Sequence, residues 1–294
     1  MRYVSTKTIL SPYMADGWFA SNYSMNLYRG CCLGCIYCDS RSECYGIENF
    51  DDVRAKKDAL SILERELKQK QRKGIVLTGA MSDPYNPFEA QQNLTRGAIE
   101  LCDRHGFGFM ADTKSHIAVR DIDILQSVAR HSPAGINFTI TTYDDALCQR
   151  IEPYVSLSSQ RFAAMERIAS AGLFTGVLLQ PVLPFINDTV ENITNIIMRA
   201  YECGAQYIFP FHFGVTLRQN QRDYFLLQLN KHFPGLARRY VDHFGMRYAC
   251  PSPNEEALWQ TLREQCARYG MAYDMPQISE LIRQKYQSEQ LSFY

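Results

Sequence analysis

Short runs of β-branched and aromatic residues recur along this 294-residue chain at 25–28, 75–78, 106–111, 136–142, 175–182 and 207–213, and helical patterns fill the intervals. Antiparallel strands can be joined by a tight turn, whereas parallel strands need a crossover long enough to hold a helix. Six strand-helix units in succession therefore specify an α/β fold with a parallel sheet. The helices have readable ends. The segment 55–73 carries Leu60, Leu63 and Leu67 on one face and stops at Gly74. Asp121 stands as N-cap of 122–130, and Ser158 as N-cap of a helix closing at Gly172. Another helix, after Asp188, carries Ile193, Ile196, Ile197 and Ala200 and ends at Gly204. From about Thr216 the rhythm changes: 224–229, 236–244 and 254–269 are helical, with no strong strand partner. The expected organisation is a core over 1–214 and a helical C-terminal extension over 215–294 packed on it.

Composition narrows the class of partner. The 31 basic residues are balanced by 31 acidic ones, so no long-range field draws the chain to nucleic acid or an anionic membrane. Nucleic acid is not favoured as a partner, and only a local basic groove keeps it open. No stretch approaches the ~18 consecutive apolar residues of a membrane span, and 1–16 lacks the basic, apolar and small-residue succession of a secretory signal. A cytoplasmic protein without a membrane partner is expected. In that reducing compartment the ten cysteines read as buried hydrophobes or as ligands, not as disulfides.

Four of them crowd into Cys31-Cys32-Leu33-Gly34-Cys35-Ile36-Tyr37-Cys38, directly after the first predicted strand. Cys31, Cys35 and Cys38 have C-x3-C-x2-C spacing, which lets one short loop aim three thiolates at a single point, as at three corners of a cubane iron-sulfur cluster. Gly30 and Gly34 permit the tight turns such a loop needs. No second short-spaced pair of cysteines exists to close a fourth corner. Three ligands leave one iron open, and an open position separates a reactive metal site from a closed structural one. A zinc ribbon is the rival reading; it needs a second ligand pair, and the six histidines are scattered. Cys32 falls outside the spacing and is expected to point away. Cys44, Cys102, Cys148, Cys203, Cys250 and Cys266 are isolated, and an inert buried thiol is the default for them.

The cysteine triplet, with aromatic Tyr37 before its last member, resembles the signature of the radical S-adenosylmethionine (SAM) superfamily. Further short matches lie beyond it: Thr78-Gly79-Ala80-Met81-Ser82-Asp83-Pro84-Tyr85, Thr113-Lys114-Ser115, Thr139-Ile140-Thr141-Thr142 and Pro181-Val182-Leu183-Pro184. Together these are similar to the spore photoproduct lyase-like branch, over about 10–214. The resemblance implies a partial TIM barrel of six strand-helix units, with chemistry at the C-terminal ends of the strands. It implies a [4Fe-4S] cluster on Cys31, Cys35 and Cys38, and SAM as second cofactor on the open iron. One electron from a flavodoxin- or ferredoxin-type donor would split SAM into methionine and a 5′-deoxyadenosyl radical that abstracts hydrogen from a substrate. Tyr37 is then expected against adenine and Gly79 beside the methionine end. Ser82 and Asp83 are expected to accept from the SAM ammonium, Lys114 to offset its carboxylate, and Thr139 to donate to a polar end. The rival for Gly79 is a glycine needed only for its turn, for Asp83 a turn before Pro84, for Tyr37 simple packing and for Lys114 a solvated surface charge.

Two positions depart from the lyase. Ala80 stands where that enzyme has its hydrogen-donating cysteine, and Asp39 stands where it has a tyrosine that assists the radical relay. Neither side chain can do that work, which makes DNA photoproduct (thymine dimer) repair the alternative rather than the main reading; another thiol such as Cys148 or Cys250 would have to reach the site. A third reading, from another class, is an iron-sulfur electron-transfer or binding module that never cleaves SAM. The substrate is not legible in the sequence.

Overall fold

The computed structural model describes residues 1–13 and 17–290. Part of the N-terminal stretch read for a signal (14–16) and the last four residues of the extension lie outside the described residues. Among the described residues twelve strands occur in chain order: β1 (Arg2–Val4), β2 (Leu10–Pro12), β3 (Tyr23–Met25), β4 (Tyr28–Arg29), β5 (Arg54–Lys56), β6 (Ile75–Thr78), β7 (Gly108–Thr113), β8 (Ala134–Thr139), β9 (Phe174–Leu178), β10 (Tyr207–Phe209), β11 (Gly214–Thr216) and β12 (Ala249–Pro251). The helices are α1 (Ala59–Gln69), α2 (Glu89–Gln92), α3 (Leu94–Arg104), α4 (Ile122–Val128), α5 (Asp145–Ile151), α6 (Ser158–Ser170), α7 (Val190–Glu202), α8 (Gln221–His232), α9 (Leu236–Phe244), α10 (Glu255–Tyr269) and α11 (Met275–Gln290).

Seven strands form the main sheet in the order β10-β9-β8-β7-β6-β3-β2. The six from β3 to β10 in this sheet are parallel and lie in chain order, and β2 pairs antiparallel at the edge. A doubly wound sheet would reverse its order partway. A sheet that never reverses keeps its crossovers, which share one hand, on one face. The helices therefore cover the outer face and the inner face curves into a partial TIM barrel, as the six strand-helix units imply.

Strand alternation sorts the core into these two faces. Val76, Phe109, Ala111, Ile136, Phe138, Val177 and Ile208 point outward and pack with Leu63, Ile99, Leu125, Ile168 and Ile193 of the helices. Leu77, Met110, Leu178, Tyr207 and Phe209 point inward with Phe19 and with Ile278 and Ile282 of α11. Helix α11 is held there by Phe19 N–H donating to Met275 Sδ and Ala20 N–H donating to Ser279 Oγ at 3.2 Å. No helix among the described residues is long and apolar enough to cross a membrane.

Three local expectations are corrected. The predicted first strand at 25–28 is divided: β3 ends at Met25, and Tyr28 and Arg29 pair instead with β5 in a small sheet, β1-β5-β4. That small sheet claims Ala55 and Lys56, so the helix predicted from 55 starts at Ala59. The extension is also not purely helical, because β11 and β12 pair antiparallel. Its helices α8 and α9 pack directly on the cysteine loop: Phe225, Leu229, Tyr240 and Phe244 share one apolar cluster with Leu33, Cys35, Ile36 and Tyr37.

Candidate active site

The cysteine loop follows β4 of the small sheet and is held by backbone hydrogen bonds along its length. Cys31 N–H donates to Phe50 O at 2.8 Å, Ile36 N–H to Ile151 O at 3.0 Å and Cys38 N–H to Cys35 O at 3.3 Å. Gly30 and Gly34 both take positive φ, as the turns require. Cys31, Cys35 and Cys38 are free thiols lining one narrow cleft of about 90 Å³. Cys32 does not line it and packs against the main apolar core instead. Tyr37, Gly79, Ser82, Asp83, Lys114 and Thr139 line the same cleft, with Leu33, Ser40, Ala80, Met81, Asp112 and Thr113. Chain segments more than a hundred residues apart, from Cys31 to Thr139, are thus gathered at the C-terminal ends of β6, β7 and β8. A larger cavity, about 780 Å³, lies between residues 42–44 and 217–223 and is lined by none of the three thiols.

The thiols fit a metal cluster by their chemistry. Burial pushes Cys31 up to about 12, raises Cys35 well above the ordinary thiol value and raises Cys38. Buried thiols of this kind do not readily ionise alone, and a cationic iron held by them would displace their protons. Among the described residues the only ammonium in the cleft's lining is Lys114, whose field favours the thiolates of Cys35 and Cys38. Its Nζ lies 5.9 Å from the Tyr37 ring centroid.

The acidic strand-end motif is largely occupied within the protein. Asp83 Oδ1 accepts from Thr113 Oγ1 at 2.7 Å and Tyr85 N–H at 2.8 Å, and Oδ2 accepts from Lys114 N–H at 2.8 Å. Ser82 Oγ donates to Gly30 O at 2.6 Å. Asp83 and Ser82 thus tie the ends of β6 and β7 to the cysteine loop. Gly79 has φ +111°, and a Cβ there would meet Asp112 O at 2.1 Å; only glycine lets the chain turn so close to the neighbouring strand.

A buried ionic cluster sits behind Tyr37. The Tyr37 hydroxyl donates to Glu152 Oε1, and Arg161 Nη2 donates to Glu152 Oε2 at 2.5 Å. Arg161 also donates to Thr139 O at 2.5 Å, Ser156 O at 2.7 Å and Cys148 Sγ at 3.2 Å. Burial opposes charge on Glu152, but the neighbouring Arg161 and Lys114 together hold its carboxyl below the usual range. One guanidinium thereby fixes both the aromatic and the Thr139 edge of the cleft. Neither Cys148 nor Cys250 lines it.

Sequence reading missed Glu152, Arg161 and Asp112. Asp112 had a signal: it lies two residues before Lys114 on a strand, and so on the same face. Glu152 and Arg161 had none, since charges on helical segments are normally solvated.

The chain matches the radical SAM superfamily over residues 25–197. An uncharacterized protein of Mycobacterium tuberculosis (strain ATCC 25618 / H37Rv) is 27% identical over 259 residues, covering 86% of this chain and 76% of the relative. An uncharacterized protein of Methanocaldococcus jannaschii is 26% identical over 248 residues, covering 81% and 89%. Among solved structures, spore photoproduct lyase complexed with dinucleoside spore photoproduct superimposes with a TM-score of 0.68, at 15% identity, over 92% of this chain and 81% of that one. A mutant of the same lyase with bound AdoMet gives the same TM-score of 0.68. At that identity the likeness is one of fold. The sequence match spans more than half of the chain and includes all three cleft thiols, so this protein belongs to the radical SAM superfamily, whose members use a [4Fe-4S] cluster and SAM.

Proposed function

We propose that this chain is a radical SAM enzyme in which Cys31, Cys35 and Cys38 hold the cluster and Tyr37, Gly79, Ser82, Asp83, Lys114 and Thr139 hold SAM against it. When bound, these cofactors supply reductive cleavage of SAM to methionine and a 5′-deoxyadenosyl radical that takes a hydrogen atom from substrate. The observation that carries the reading is that three thiols and one aromatic ring of the cysteine loop meet one ammonium group, Lys114 at the end of β7, in a single cleft. Lys114 balances a carboxylate there, and Tyr37 offers a ring face fixed from behind by Glu152. Thr139 presents its hydroxyl from the end of β8. Ser82 and Asp83 keep the strand ends and cysteine loop in register, with spare lone pairs for an ammonium group. Residues 1–214 would form the catalytic core. Helices α8 and α9 of the extension shield the apolar side of the cysteine loop, which limits water at a reactive centre. A flavodoxin- or ferredoxin-type donor in the cytoplasm would supply the electron.

Photoproduct repair is not favoured. Ala80, which the resemblance matches to the lyase's hydrogen-donating cysteine, lines the cleft, and among the described residues no thiol besides the three loop cysteines lines it. After anaerobic cluster reconstitution and dithionite reduction, the wild type should form 5′-deoxyadenosine from SAM, and Cys35→Ala should form none. A red-brown protein that makes no 5′-deoxyadenosine would refute the proposal in favour of an electron carrier. Repair of a dimer-containing oligonucleotide by the reduced protein would restore the repair reading.

A further inference from the structure

One row of residues crosses the inner face of the barrel beneath Lys114 and Thr139. Asp112 on β7 is in register with Asn137 on β8, Asn137 with Gly176 on β9, and Gly176 with Tyr207 on β10. A Cβ on Gly176 would meet the Tyr207 ring at 2.2 Å. The missing side chain lets the tyrosine lie across β9 and reach the strand beyond, where its hydroxyl donates to Asn137 Oδ1. That bond decides which way the Asn137 amide faces, so that Nδ2 donates to Asp112 Oδ1 at 2.7 Å. Asp112 Oδ2 accepts no hydrogen bond among the described residues, and Asp112 lines the cleft. Four strands thus cooperate to present one carboxyl oxygen to the space beside the thiols.

Asp112 differs from Asp83 and Ser82 in having one carboxyl oxygen, Oδ2, uncommitted among the described residues. Asp83 is held by three protein donors and Ser82 by Gly30. Asp112 also lies a layer below the level of Lys114 and Thr139, towards the barrel interior. From this geometry we infer that Asp112, oriented by Asn137 and Tyr207, is the specificity-determining acceptor for the hydrogen-abstraction substrate, taking an O–H or N–H donor of a neutral or cationic molecule and rejecting anions. The inference rests on the radical SAM reading of the same cleft. Burial raises the carboxyl to about 7, so it is an acceptor that a donor or a cation would readily draw into its charged form.

The test uses the reconstituted, SAM-loaded protein with its cluster oxidised, and small probes observed by saturation-transfer NMR: ethanolamine, ethylene glycol and acetate. The wild type should bind ethanolamine and ethylene glycol in preference to acetate. Asp112→Leu should weaken both by about tenfold or more, as expected for loss of a charge-assisted hydrogen bond. Asp112→Asn keeps the shape and the bond from Asn137 but turns the open position into a donor, so the preference should reverse towards acetate. SAM affinity, measured separately by equilibrium dialysis, should stay within about twofold in both variants, a change too small for loss of a hydrogen bond. Unchanged probe preference in Asp112→Asn, or no probe binding to the wild type, would overturn the inference alone. Loss of SAM affinity in the variants would reassign Asp112 to the cofactor and also overturn it. A wild type that holds its cluster but binds no SAM would overturn the radical SAM reading itself, and the inference with it.

Discussion

Arg161 is fully buried, and Glu152 is 1% exposed. Replacing Arg161 by Met keeps much of the length of the side chain and removes its charge and every donor. Four interactions go at once: the ion pair to Glu152 at 2.5 Å, the bonds to Thr139 O and Ser156 O, and the contact with Cys148. Two effects compete. A well-packed apolar replacement of both ions can be neutral, whereas removal of one partner strands the other charge in the interior, at about 3–5 kcal/mol. Here only one partner is removed, so the larger cost applies. An unfolding entropy of ~2.1 cal/mol/K per residue, applied to 294 residues, converts this to a fall in Tm of roughly 5–8 °C.

The pH dependence gives the reasoning a second check. In the wild type, the folded-state value of Glu152 lies below its ordinary value of 4.5. Its contribution is therefore present above that value and is lost as pH falls through the folded-state value. Without Arg161 the carboxyl moves up and can discharge by protonation. The deficit of Arg161→Met should accordingly shrink as the solution is acidified towards pH 4.5. Urea denaturation followed by circular dichroism measures both quantities. In a double-mutant cycle with Glu152→Gln, the coupling should reach about 0.5–3 kcal/mol. A deficit under about 1 kcal/mol at neutral pH, far below the cost of a stranded charge, or a cycle without coupling, would show that the guanidinium does not hold Tyr37 and Thr139 through this cluster.

Gly79→Ala should destabilise the fold by about 1–3 kcal/mol, because its Cβ must displace the Asp112 carbonyl or force the backbone out of its turn; stability equal to wild type in urea would refute this. Asp112→Asn should be more stable than wild type at pH 8 by a few kcal/mol, since each tenfold change in the ionisation equilibrium is worth about 1.4 kcal/mol, and the gain should vanish below about pH 4. The sign follows from a value raised to about 7 by burial: neutral Asp112 stabilises the fold below its ordinary value, and that contribution disappears as pH rises through about 7. A thermal-shift series across pH checks it, and a gain that does not depend on pH would contradict it. Gln221→Leu should cost about 1–3 kcal/mol by leaving Tyr37 O and Arg218 N–H without their buried partner, read by urea denaturation. An unchanged midpoint would show that this contact does not anchor the loop.

The parallel strands were legible because each is buried on both faces and reads as an apolar run with caps beside it. What escaped were pairings decided at a distance. The strands β1, β11 and β12 span three residues each, too few for a period to emerge. The division of 25–28 depends on β5, which is drawn to Tyr28 across an intervening loop. The same distinction separates the site residues. Cys31, Cys35 and Cys38 are legible because their relation is local spacing, whereas Glu152 is buried because Tyr37 arrives from 115 positions away. No window of sequence around α5 contains that fact.

Asp39 shows how the two levels combine. Read alone, it is a residue that cannot relay a radical. In the fold its Oδ1 accepts from Arg218 Nε at 2.8 Å and its Oδ2 from the Tyr45 hydroxyl at 2.8 Å. One turn further, Gln221 donates to Tyr37 O at 3.0 Å. The start of the C-terminal extension therefore grips the chain on both sides of Cys38. The Asp39–Arg218 pair is about a third exposed on each side, so its worth in stability is small, about 0–1 kcal/mol. Its effect is on position. Asp39 is part of the clasp by which residues beyond the barrel hold the chain on either side of Cys38, and Ala80 lines the cleft without a thiol. The two positions that depart from the lyase resemblance thus lie beside the cysteine loop: Asp39 serves as a mechanical tie, and Ala80 offers no hydrogen donor. Under the proposed function the shared barrel and cysteine loop would supply the means of making a radical, and the altered edge would leave its substrate to be met by Asp112.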